Sequence, residues 1–146
     1  ELKLIGATSQ EVLDTISEFK LQDYVLNLGY VSHEEAVIQQ RKSQVLLLIE
    51  INSEETRSII PGKVFEYIVS ERPIIAIGPE DSDFAEIITS TNTGAFFSYY
   101  DKEPLKELLL KYYKLYKEGS LKVHAVGLQQ YSRKNLTAQL ASLIKS

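Results

Sequence analysis

The chain has 146 residues, of which 44% are hydrophobic and 25% charged, the ordinary balance of a folded domain and not of a disordered segment. At this length about two-thirds of the unfolded surface can be buried, so a hydrophobic core forms without staples. There is no cysteine, which excludes disulfides, thiolate metal ligands and a cysteine nucleophile. The net charge of −4 argues against general nucleic-acid binding. It is unevenly spread: residues 1–100 hold 16 acidic and 7 basic side chains, residues 101–146 hold 4 acidic and 9 basic.

The longest apolar run, Val45 to Ile49, is far short of the ~20 residues that span a bilayer. With no signal-peptide pattern at its start, the chain is expected to be cytoplasmic. It opens on Glu1-Leu2-Lys3-Leu4-Ile5-Gly6 and contains no methionine; we read it as a piece of a longer protein.

In chain order, β-branched and leucine-rich runs predict strands at Leu2–Ile5, Val25–Val31, Val45–Ile51, Ile74–Ile77 and Gly94–Phe97. Helical spacing fills the intervals. The stripes are Val12, Leu13, Ile16 and Phe19; Ala36, Val37 and Gln40; Val64, Phe65, Ile68 and Val69; and Phe84, Ile87 and Ile88. Ser32-His33-Glu34-Glu35 predicts a capping box, and Pro61 fits the first turn of the third helix. Pro104 opens a helix through Tyr116, closed by Gly119 and Ser120, and a last helix runs from about Tyr131 to Ile144. Leu105, Leu108, Leu109, Tyr112, Leu115 and Tyr116 predict the core-facing stripe of the Pro104 helix. Its Lys111, Lys114 and Lys117 interleave with Tyr112, Tyr113 and Tyr116, a pattern that also suits peripheral contact with a lipid headgroup layer.

Near-continuous apolar strands alternating with helices predict an α/β fold: one doubly wound, Rossmann-like parallel sheet with helices on both faces. Residues 1–146 form a single domain in this reading, with 123–146 as its terminal helical segment. Ligands of such sheets sit beyond the carboxyl ends of the strands, which directs attention to the loops after Val31, Ile51, Ile77 and Phe97.

The most informative stretch runs Ser58-Ile59-Ile60-Pro61-Gly62-Lys63-Val64-Phe65-Glu66-Tyr67-Ile68. A helix start offers amides and a positive dipole end to a phosphate, which Lys63 would help neutralise. Glu66, one turn on, has two oxygens to accept from the vicinal hydroxyls of a ribose. The plainer alternative is a surface helix on which Lys63 and Glu66 pair with each other.

Gly-Lys-Val-Phe-Glu-Tyr-Ile, then Arg-Pro-Ile-Ile-Ala-Ile-Gly, then Asn92-Thr93-Gly94 resembles the donor-binding, carboxy-terminal half of GT-B fold glycosyltransferases of the group 1, family 4-like kind. Leu28-Gly29-Tyr30-Val31-Ser32-His33-Glu34-Glu35-Ala36 and Tyr131-Ser132-Arg133-Lys134-Asn135-Leu136 are similar to the same family's earlier loop and terminal helix. The resemblance implies a domain that binds a nucleotide-diphosphate sugar for transfer to a hydroxyl acceptor in glycan or exopolysaccharide synthesis, with no metal or other cofactor. It implies that Glu66 holds the ribose, that Gly29, Tyr30 and Val31 flank the nucleobase, and that Ile60, Pro61, Gly62 and Lys63 approach the diphosphate. Ser58, near the sugar, stands where many retaining members have a first glutamate. Catalytic residues are unassigned, because the acceptor site and any base belong to an amino-terminal domain outside this sequence. The chain alone is therefore expected to bind donor weakly and to catalyse nothing.

Other sites are weaker. His33 and His124 lack metal-pair spacing, no Asp/Glu cluster supplies a metal site, and Pro79-Glu80-Asp81-Ser82-Asp83 reads as a turn with an N-cap. The alternatives are a nucleotide-sugar epimerase of the same architecture and a non-catalytic flavodoxin-like interaction domain.

Overall fold

Each strand is a run of four or five mainly apolar residues, too short to stand alone, and each is followed in the chain by a helix. The computed structural model describes residues 1–145 and has an α/β, Rossmann-like fold of parallel strands. The elements are β1 (Leu2–Ile5), α1 (Gln10–Glu18), β2 (Val25–Gly29), α2 (His33–Lys42), β3 (Leu46–Ile49), α3 (Lys63–Ile68), β4 (Ile74–Ile77), α4 (Asp83–Ser90), β5 (Gly94–Phe97), α5 (Lys102–Lys117) and α6 (Arg133–Lys145). Single 3₁₀ turns lie at Gln22–Tyr24, Glu54–Thr56 and Leu128–Tyr131. The one continuous sheet expected from sequence is divided: β1 pairs with β2, and β3-β4-β5 form a second ladder. Two compact units result, Glu1–Gln39 and the remainder from Gln40 onward.

In the first unit the ladder runs Leu2 to Val25 through Leu4 to Asn27, then shifts so that Ile5 faces Gly29. Gly29 ends β2 two residues earlier than the apolar run suggests. Its φ of 63° is left-handed, a conformation that suits glycine and turns the chain away from the ladder. On α1, Leu13 and Ile16 are half-buried, but Val12 and Phe19 are exposed and Phe19 is only the C-cap. Ser32 Oγ accepts the Glu35 amide at 3.1 Å. The capping box is half-made, however, because Glu35 turns to accept from Gln39 Nε2 at 2.7 Å.

The second unit holds the core. Leu46 and Leu48 of β3, Ile74 and Ala76 of β4, Val64 and Ile68 of α3 and Phe84, Ile87 and Ile88 of α4 are buried together. Phe65 and Val69, expected on the inner stripe of α3, are instead exposed. On α5 the half-buried residues are Leu105, Leu108, Tyr112 and Leu115, whereas Leu109 and Tyr116 face outward. Gly119 and Ser120 close α5 by donating to Tyr116 and Leu115 carbonyls at 3.0 and 2.9 Å, the double bond pattern of a Schellman cap.

The α4–β5 junction repeats that device without glycine. Asn92 adopts φ 53°, its amide donates to Thr89 O and that of Thr93 to Ile88 O. The hydroxyls of Thr91 and Thr93, both buried, lie 2.8 Å apart and also bond helix carbonyls. Asn92 Nδ2 then holds the His124 carbonyl at 2.9 Å, and the Val126 amide donates to Thr91 O at 2.8 Å.

Gly94, the next residue, pairs with Ile74 at the start of the β4–β5 ladder. A Cβ there would fall on the Ile74 carbonyl, 2.7 Å from its carbon. Because the obstacle is backbone, it cannot rotate aside. Gly94→Ala is therefore expected to destabilise the protein by about 3 kcal/mol or more, read as a lowered urea midpoint with an unchanged slope.

Candidate functional site

The residues singled out in sequence fall in both units. In the first, the Gly29 carbonyl accepts the Gly6 amide at 2.7 Å, and its own amide donates to Asn27 Oδ1 at 3.2 Å. Both backbone groups are thus engaged. Tyr30 is 85% exposed, Val31 is half-buried, and His33 is exposed at the start of α2.

In the second, α3 starts at Lys63 with Gly62 as its N-cap, so Pro61 precedes the helix instead of forming its first turn. The Val64 and Phe65 amides are already spent on Pro61 O and Gly62 O at 2.9 and 3.2 Å. The amides of Ile60, Gly62 and Lys63 carry no backbone partner among the described residues. Ser58, Ile60, Gly62 and Lys63 are exposed.

Glu66 is half-buried on α3, outside the core. It forms no ion pair with Lys63 among the described residues. Instead its Oε2 accepts from Gln40 Nε2, near the end of α2, at 3.1 Å. Its Oε1 has no hydrogen-bond partner among the described residues. Beside it, Tyr67 packs against the core; burial, and secondarily the Glu66 charge, push its phenol above the ordinary value.

Sequence reasoning did not single out Arg57, Tyr99 or Tyr100, although it pointed to the loops that carry them. They line a depression of about 260 Å³ at the carboxyl ends of β3, β4 and β5, along with Asn52, Ser53 and Glu80. Arg57 Nη2 pairs with Glu54 Oε1 at 3.0 Å. Its Nε is buried with no partner among the described residues. The Arg57 carbonyl accepts the Asp83 amide at 2.9 Å, tying this loop to the start of α4. The Tyr99 hydroxyl donates to the Glu50 carbonyl; burial first, and the Glu50 charge second, raise its phenol. Ser82 is the N-cap of α4, but its buried hydroxyl caps nothing.

Among the described residues no His, Asp or Glu cluster could hold a metal ion, and no helix is long and apolar enough to cross a membrane. Compared with known proteins, the chain matches no family model, no curated protein and no solved structure.

Three phenols make the fold sensitive to alkaline pH. Tyr67, Tyr99 and Tyr112 all titrate above their ordinary value in the folded chain. The folded state therefore keeps protons that the unfolded state loses, and stability falls as pH rises past about 10. Tyr67→Phe is expected to leave stability at pH 7 within about 1 kcal/mol and to soften that alkaline fall, measured by thermal melts between neutral and high pH.

Proposed function

We propose that this chain is the donor-binding domain of a glycosyltransferase of the GT-B kind, holding a nucleotide-diphosphate sugar for transfer to a hydroxyl acceptor. The observation that carries the reading is Glu66: a half-buried carboxylate outside the core, unpaired with Lys63, with one oxygen held by Gln40 and the other unused. A carboxylate steadied on one side retains acceptor capacity for a vicinal diol. The Rossmann-like parallel fold supports the reading, because ligands of such folds gather at the carboxyl ends of strands. So do the unspent amides of Ile60, Gly62 and Lys63, which suit a diphosphate beside the Lys63 ammonium.

In this proposal Glu66 accepts from both ribose hydroxyls and Gln40 fixes its rotamer. Lys63 and the neighbouring amides stabilise charge that builds on the leaving diphosphate. The donor needs no metal or further cofactor, and turnover requires an acceptor-binding partner domain.

Thermal shift and calorimetry with UDP, GDP, ADP and inorganic phosphate test the reading. At least one nucleoside diphosphate should bind more tightly than phosphate, and Glu66→Ala should weaken it about tenfold or more without weakening phosphate, the effect of losing a charged hydrogen-bond acceptor. Indifference to every nucleotide would overturn the proposal.

A further inference from the structure

Helix α5 presents two faces. Leu105, Leu108, Tyr112 and Leu115 are half-buried toward the protein. At 100° per residue, Tyr116, Leu109, Tyr113 and Leu110 fan out over an adjoining arc of about 120°, and they are 51%, 49%, 62% and 62% exposed. A solvated helix face ordinarily carries charge or small polar groups there. The exposed residues of this arc are two leucines and two tyrosines, and between them stand only Lys102, Lys106 and Lys117, all exposed. The helix's carboxylates, Glu103 and Glu107, lie beyond Leu110 on the far flank, with Lys114 beside them and Lys111 further round.

We propose that this arc of α5 docks on an anionic lipid surface. The arc matches such a surface in charge and in ring and chain chemistry. Three ammonium groups face phosphate headgroups, tyrosine rings suit the headgroup level, and Leu109 and Leu110 enter the acyl boundary. Lys102 and Lys117 stand 15 positions apart, about 22 Å along the helix, so all three lysines reach one plane when the helix lies parallel to it. The chain's net charge is −4, but α5 itself carries five lysines against two glutamates. A neutral apolar partner would leave the lysines unmatched. A purely acidic one would leave the leucines in water.

Co-sedimentation of the full chain with phosphatidylcholine vesicles, with and without phosphatidylglycerol, tests this. Binding should be about tenfold stronger on the anionic vesicles and fall as salt is raised. Lys106→Glu with Lys117→Glu should abolish that preference. Leu110→Ser with Tyr113→Ser should weaken binding several-fold at unchanged charge. Lys111→Glu, the same charge change on the other flank, should alter it by less than about twofold. All these side chains are exposed, so melting temperatures should stay near wild type and separate docking from folding. Absence of vesicle binding, equal binding to neutral vesicles, or equal loss with Lys111→Glu would overturn the proposal, as would capture by RNA or an acidic protein without vesicle binding. None of these readouts involves nucleotide, so their failure and that of the donor-site reading are distinguishable.

Discussion

Gly94 lies so close to the Ile74 carbonyl that no Cβ fits between them, and the β4–β5 ladder of the second unit begins at that contact. A parallel pair must begin in register, and here a residue without a side chain lets β5 settle against β4 where α4 has just ended. The turn that delivers Gly94 is bound on all sides. Asn92 takes the left-handed position, the Thr91 and Thr93 hydroxyls satisfy carbonyls inside the core, and the Asn92 amide group holds the chain at His124. With that end of the ladder fixed, the opposite ends of β3, β4 and β5 release three loops side by side, and Arg57, Pro79 and Tyr99 meet there. The place where ligands gather in such folds is thus set from the far end of the strands.

Some polar groups are free for recognition and others are already used within the fold. The Gly29 amide and carbonyl and the Val64 and Phe65 amides are committed to the protein itself. Glu66 retains an oxygen, and the Arg57 guanidinium retains an N–H. An exposed pair such as Arg57–Glu54 contributes little stability, so its guanidinium can be redirected at small cost, whereas an unmatched buried N–H is a standing penalty.

Much of this was legible in the sequence. Apolar runs located all five strands, and the Ile74–Ile77 and Gly94–Phe97 bounds agree residue for residue; only β4 is buried almost throughout, whereas Leu47 and Ile49 of β3 are apolar yet exposed. The stripe Phe84, Ile87, Ile88 lies in the core as its spacing requires. The errors are local. Pro61 looked like a helix start, but its carbonyl is needed to close the turn that precedes α3. Leu109 and Tyr116 fit a helical stripe by spacing alone, and only packing shows that they lie off its buried edge. Composition cannot reveal that a ladder breaks between β2 and β3. Nor can a linear reading join Gln40 to Glu66, 26 residues apart, because their meeting depends on where two helices lie.

The Leu128–Tyr131 turn follows the last strand, yet it is joined to the earlier part of the second unit. Leu128 and Tyr131 pack on the core, and the Tyr131 ring lies 6.0 Å from that of Phe65. Phe65 adjoins Glu66, so the six-residue helix bearing that carboxylate is braced by a segment more than sixty positions downstream. A helix so short has little cooperativity of its own. Val64 and Ile68 anchor one side of it in the core and Tyr131 backs Phe65 on another, so whatever lifts Tyr131 from Phe65 loosens the seat of Glu66 as well.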